Sequence, residues 1–149
     1  MRKNYGNRRR FRGQSMVEFA LVAPIFFFMI FGVMEGGWLF YNQNAITNAA
    51  RDGSRYAAVH GTQSQGITDA TLQAAYVVSA ADVKAAIVQR LAITDKDTIQ
   101  VTVLRPDGDM VPGHHVTIVV KYQYQPLIGY LLGNKTLTLS SSSTSVVFY

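Results

Sequence analysis

The chain's strongest constraint is a run of 21 residues, Gln14 to Met34, made mostly of Phe, Val, Ile, Leu, Met and Ala. As a helix rising about 1.5 Å per residue it reaches about 31 Å, close to the roughly 30 Å hydrocarbon core of a bilayer. A membrane-spanning helix is therefore the first expectation. Pro24 lies inside the run. In a soluble helix it would cost roughly 3 kcal/mol. In a membrane helix, neighbouring groups re-satisfy the freed carbonyl, so a local kink is the milder expectation.

Charge orients this segment. Of 14 basic residues, Arg2, Lys3, Arg8, Arg9, Arg10 and Arg12 precede Gly13 with no acid among them, leaving eight to face nine acidic residues in the rest. The net charge of +5 thus belongs to a short tail. The positive-inside bias puts residues 1–13 in the cytoplasm, 14–37 in the membrane and 38–149 outside. Trp38, Phe40 and Tyr41 fall where an interfacial aromatic belt is expected. A removed signal peptide fits less well. The sequence after the apolar run, GVMEGGWLFYNQ, offers no small-x-small cleavage site. Specific nucleic-acid binding is not expected, because the outer domain lacks a basic face. With no cysteine, disulfides and thiolate metal sites are excluded. The 48% hydrophobic content still allows a core.

Glu18 sits a few residues inside the apolar run, where an ionisable group calls for a partner. Arg12 is within snorkelling range. A cut after Gly13 would give Gln14 a new α-amino group and make Glu18 the fifth residue. The Glu18 carboxylate of one helix could then neutralise the amino terminus of a neighbour, which compensates burial that an isolated helix cannot.

The residues RFRG–QSMVEF resemble the type IV prepilin processing motif. The longer stretches GQSMVEFALVAPIFFFMIFGVMEGG, AITNAARDGSRYAAVHG and VTIVVKYQYQPLIGYLLGNKTLTLSSSSTS are similar to TadE-like minor pseudopilins of the tight adherence (Flp) pilus machinery. The resemblance implies cleavage by a prepilin peptidase on the cytoplasmic side, with Gly13, Gln14, Glu18 and Phe19 as the processing residues. It also implies other pilins or pseudopilins, an inner-membrane assembly platform with its secretion ATPase, and membrane lipid as partners. Major pilins of this system are shorter and usually carry Glu-Tyr. Glu18-Phe19 followed by a sizeable domain points to a minor component.

Beyond the run, Leu39, Ile46, Ala49, Ala50, Gly53, Tyr56 and Ala57 recur at helical spacings, so the helix is expected to continue to about Val59. Gly32, Gly36 and Gly37 offer either a close helix-packing surface or a flexible joint. Glu35 beside them is expected to be hydrated. Arg51 and Arg55 share a helix face, and Asp52 is spaced to pair with Arg55. The three are candidates for docking a partner subunit, or else an ordinary solvated face.

GTQSQG, 61–66, reads as a loop. Residues 67–78 are open between helix and loop. Ser79 and Asp82 resemble a capping box opening a helix to about Ala92, with Val83, Ala86, Ile87, Arg90 and Leu91 along one stripe. Thr98–Leu104, His115–Tyr124 and Thr136–Phe148 are expected as strands around a Pro106–Asp109 turn. Val116, Ile118, Val120, Tyr122 and Tyr124 fall on one face of the second strand. The Ser140–Ser145 tract is taken as strand rather than low complexity. Residues 126–134 read as a connector, with one helical turn as the alternative. The expected fold is α+β: a long N-terminal transmembrane helix running into a small pilin-like domain, with a helix packed on an antiparallel sheet of about three strands.

No catalytic residue, metal or cofactor is expected. No P-loop or nucleophile motif occurs. His114 and His115 are adjacent at a strand start and so point to opposite faces. Asp95, Asp97, Asp107 and Asp109 lack full calcium-loop spacing. The rival to a pilus role is an uncleaved single-pass anchor that displays a binding domain.

Overall fold

A computed structural model describes residues 11–62, 65–66, 76–91, 93, 95–130, 133 and 135–148. Residues 1–10 of the basic leader and 67–75 of the open stretch 67–78 lie outside the described residues, and 76–78 are irregular rather than helical. The chain divides into two compact units, Met1–Gly37 and Trp38–Tyr149. The elements form the expected α+β set: a long N-terminal apolar helix, a second short helix and a three-stranded antiparallel sheet.

Helix α1 spans Phe11–Val59 and runs through Pro24. Its end falls where the apolar spacing stops. The His60 ring nitrogen Nδ1 lies 2.8 Å from the Tyr56 carbonyl oxygen, and the His60 amide donates to the Ala57 carbonyl at 3.2 Å. Those contacts occupy carbonyls that a helix end otherwise leaves open. The His60 ring also stacks on Tyr56, with centroids 4.0 Å apart.

Helix α2 spans Ala80–Val88. Ser79 caps it, its Oγ accepting from the Ala81 amide at 3.1 Å, and Asp82 sits in the first turn near the positive helix end. The helix stops short of the expected Ala92. The Arg90 and Leu91 amides instead close turns onto Ile87 and Val88. Leu91 is still buried, whereas Arg90 is exposed.

The strands are β1 Gln100–Leu104, β2 His115–Tyr124 and β3 Leu137–Val146, in the order β1-β2-β3. Register pairs Thr102 with Val119 and Ile118 with Ser143. β1 begins later than Thr98 because the preceding residues are used in a turn. There the Asp97 amide bonds Asp95 Oδ1 at 3.3 Å, and Thr98 Oγ1 donates to the Asp95 carbonyl at 3.0 Å. Asp side chains make such local backbone bonds readily. β3 ends before Phe148, whose amide leaves the sheet and donates to the Ala58 carbonyl of α1 at 2.9 Å.

Alternation along β2 sorts its side chains as expected. Val116, Ile118, Val120, Tyr122 and Tyr124 are all buried. They join Ile46, Ala49, Ala50 and Ala57 of α1, and Val83 and Ile87 of α2, in one core. Each large aliphatic side chain removed from water here contributes roughly 1.5–3 kcal/mol. The serine tract is strand, as expected: Ser141, Ser143 and Ser145 are half-buried, while Ser140, Ser142 and Thr144 are exposed.

Candidate functional site

The expected processing residues share the first turns of α1. Gly13, Gln14, Glu18 and Phe19 are all exposed, and a side chain at Gly13 would meet nothing within 4 Å. Gln14 and Glu18 lie four residues apart, so their side chains meet on one face. The Gln14 amide nitrogen Nε2 donates to Glu18 Oε1 at 3.2 Å. The structure thus gives Glu18 a partner within its own chain in Gln14, where the sequence reading had named only Arg12, whose side chain lies outside the described residues.

From Met16 to Met34 the large apolar side chains of α1 are exposed. Phe19 is 72% exposed and Val33 76%. The most apolar stretch has a mean hydropathy of 2.3, and among the described residues none of it is buried, which makes this a candidate membrane span. Cβ atoms built at Gly32, Gly36 and Gly37 meet nothing within 4 Å. The space beside these glycines is open on the isolated chain.

The segment Ala49-Ala50-Arg51-Asp52-Gly53-Ser54-Arg55 is resolved residue by residue into packing and display. Ala49 and Ala50 are buried. Gly53 lies where α1 packs closely on β2 and α2. A Cβ there would stand 3.1 Å from both Ile118 Cγ2 of β2 and Val83 Cγ1 of α2. Ser54, 1% exposed, donates to the Arg51 carbonyl at 2.9 Å and meets the hydroxyls of Ser143 and Ser145 at 3.0 and 3.1 Å. A buried hydroxyl without such partners would be costly. Ser54 therefore ties the helix to β3.

Arg51 and Arg55 are exposed one turn apart and line a recess of about 240 Å³ with Ser54, Ser143 and Ser145. Asp52 faces elsewhere. Its Oδ2 stands 4.0 Å from a guanidinium nitrogen of Arg90, so its ion-pair partner comes from the turn after α2 and not from Arg55. Both side chains are well exposed, and such a pair contributes at most about 1 kcal/mol. Asp52 and Arg90 help line a second recess, with Tyr41, Asn44 and Asn48 among its other residues.

The two adjacent histidines take separate carboxylates. The ring of His114 contacts Asp109, and that of His115 contacts Asp107 at 2.8 Å. The His115 amide also donates to Asp107 Oδ2 at 2.7 Å. That backbone bond and then the side-chain bond hold the Asp107 carboxyl below the usual carboxylate range. Gly108, at φ 94°, supplies the left-handed turn between the two acids. The pairs fasten the β1–β2 connection. Among the described residues no group of three or more His, Asp or Glu is placed to hold a metal.

The sequence reading missed the Gln14–Glu18 bond, the Asp52–Arg90 pair, the Ser54 hydroxyl cluster and both His–Asp pairs. Only the first carried a local signal, since residues four apart on a helix are neighbours. Residues 13–55 match the family model for TadE-like protein. Comparison with curated proteins and with solved structures gives no match. The matched segment starts at Gly13 and ends at Arg55, so it contains every processing, glycine and docking candidate named above. Over this segment the chain is similar to TadE-like protein, a likeness that points toward the Tad (Flp) pilus system.

Proposed function

We propose that this chain is a minor pseudopilin that takes part in initiation or biogenesis of an adhesive Tad pilus, after a prepilin peptidase removes residues 1–13. The observation that carries this is the TadE-like match beginning at Gly13, directly ahead of an apolar helix stretch that is unburied among the described residues. In this reading the role is structural and not catalytic. Residues 14–37 cross the inner membrane, with the basic leader cytoplasmic and residues 38–149 outside. Glu18 meets the amino terminus of a neighbouring helix, and its Oε2 is the oxygen not engaged by Gln14. The open side of Gly32, Gly36 and Gly37 receives a sister helix, since small residues let backbones approach in lipid. Arg51, Asp52 and Arg55 dock a partner subunit. Other pilins, the assembly platform and membrane lipid are the expected partners.

Intact mass and N-terminal sequence of the protein from membranes, with and without the prepilin peptidase, test the processing step. A peptidase-dependent start at Gln14 is expected. A start at Met1 in both would favour an uncleaved anchor instead. The assembly step is tested by Glu18→Gln, which should insert in the membrane normally and be lost from pili. Normal incorporation would count against the pairing of Glu18 with a neighbour.

A further inference from the structure

Cleavage after Gly13 would turn Gln14 into an amino terminus, so this inference rests on the processing proposed above. A free N-terminal glutamine carries its own electrophile. The α-amine nitrogen attacks the side-chain Cδ, and a new N–Cδ amide bond closes a lactam ring. The Cδ–Nε2 bond breaks, a proton from the amine passes to Nε2, and ammonia leaves. No oxidant or co-reactant is required. The product, 5-oxoproline, has no positive charge and cannot neutralise a neighbour's Glu18.

Glu18 is placed to block this reaction. Its Oε1 accepts from Gln14 Nε2 at 3.2 Å across one helical turn. The bond draws the carboxamide toward the next turn of α1. Lactam closure needs the opposite, with Cδ folded back on the nitrogen of its own residue. The hydrogen-bonded and the reactive conformers therefore exclude each other. The bond from Gln14 engages Oε1 alone, so Oε2 is the oxygen that would meet an ammonium group. An amine held as ammonium has no lone pair with which to attack. One carboxylate thus restrains the carboxamide of its own Gln14 and the amine of the neighbour it meets.

We infer that Glu18 is a positioning residue that keeps the mature Gln14 terminus an open, charged amine. The test is intact mass of the Gln14-start chain after a fixed incubation at neutral pH. Three samples are compared: wild-type in membranes, wild-type unfolded in denaturant, and Glu18→Ala in membranes. The native wild-type chain should keep its full mass. The other two should show a several-fold larger share lighter by one ammonia. Equal shares in native and unfolded wild-type would overturn the inference, as would equal shares in wild-type and Glu18→Ala. A native wild-type chain already fully converted would also overturn it. If Glu18→Ala is not cut, the native and unfolded wild-type samples decide alone. A wild-type start at Met1 sinks the processing reading and this inference together, whereas a Gln14 start with equal conversion sinks only this inference.

Discussion

Single residues of the outer unit act through what they touch, and Gly53 is the sharpest case. Alanine would gain about 1 kcal/mol of helix propensity at this position. Against that, its Cβ would stand 3.1 Å from Ile118 Cγ2 and Val83 Cγ1, and Ile87 Cγ2 is at 3.5 Å. Ile118 and Val83 are fully buried, with no room to retreat. Overpacking of this kind costs about 1–3 kcal/mol, so Gly53→Ala should lower stability on balance. Thermal melting of the full chain in detergent should show a reduced midpoint; an unchanged or raised one would mean the core can give. Asp107 supplies a pH-dependent case. Its bonds to His115 hold its folded-state pKa below the ordinary value of 3.8. A depressed carboxylate contributes stability above its unfolded pKa, and that contribution is lost as pH falls through the folded value. The window therefore lies below 3.8, and neutral solution is unaffected. An NMR titration of the Asp107 carboxyl should give a midpoint below 3.8; one at or above it would remove the proposed bond.

Secondary elements differ in whether they can stand alone. Helix α2 has nine residues, too few for an isolated helix to persist in water. Its cap at Ser79 and the burial of Val83 and Ile87 hold it in place. The first half of α1 is the opposite case, because among the described residues its most apolar stretch has no buried residue. Glycines behave accordingly. At Gly36 an added methyl meets nothing within 4 Å, unlike at Gly53. Gly36→Ala should therefore leave the fold of the unassembled protein intact, or strengthen its helix by up to about 1 kcal/mol. If a sister helix packs there, the same change should weaken association. Crosslinking yield in membranes, read beside the melting midpoint, separates the two effects. Unchanged crosslinking would assign these glycines to a joint.

For the whole molecule, the useful distinction is between residues that hold the fold and residues left available to other subunits. Arg51 and Arg55 make the second kind, since both are exposed beside a shallow recess while Ser54 between them is buried. Charge reversal at both, Arg51→Glu with Arg55→Glu, should change stability by no more than about 0.5 kcal/mol, as surface changes usually do. Pilus assembly should nevertheless fall markedly if this face docks a partner. Pilus counts by microscopy, taken alongside melting of the same variant, check this. Normal piliation would leave the face as simply solvated.

The sequence by itself determined what depends on local pattern. The apolar length of α1, the stripe continuing to Val59 and the alternation of Val116, Ile118 and Val120 are periodic signals, and each element forms where its period runs. Strand and helix ends were less legible. Asp95 and Thr98 turn the chain before β1, and α2 stops at Val88 with Leu91 still buried, because local hydrogen bonds and core packing both compete at those positions. The tertiary structure alone decided which residues meet across the chain. Arg90, not Arg55, faces Asp52. Ser143 and Ser145 satisfy Ser54, and Ile118 sets the limit at Gly53. These contacts join residues far apart in sequence, so no local spacing records them. They are fixed only when the helices close on the sheet and each buried polar group must find its partner.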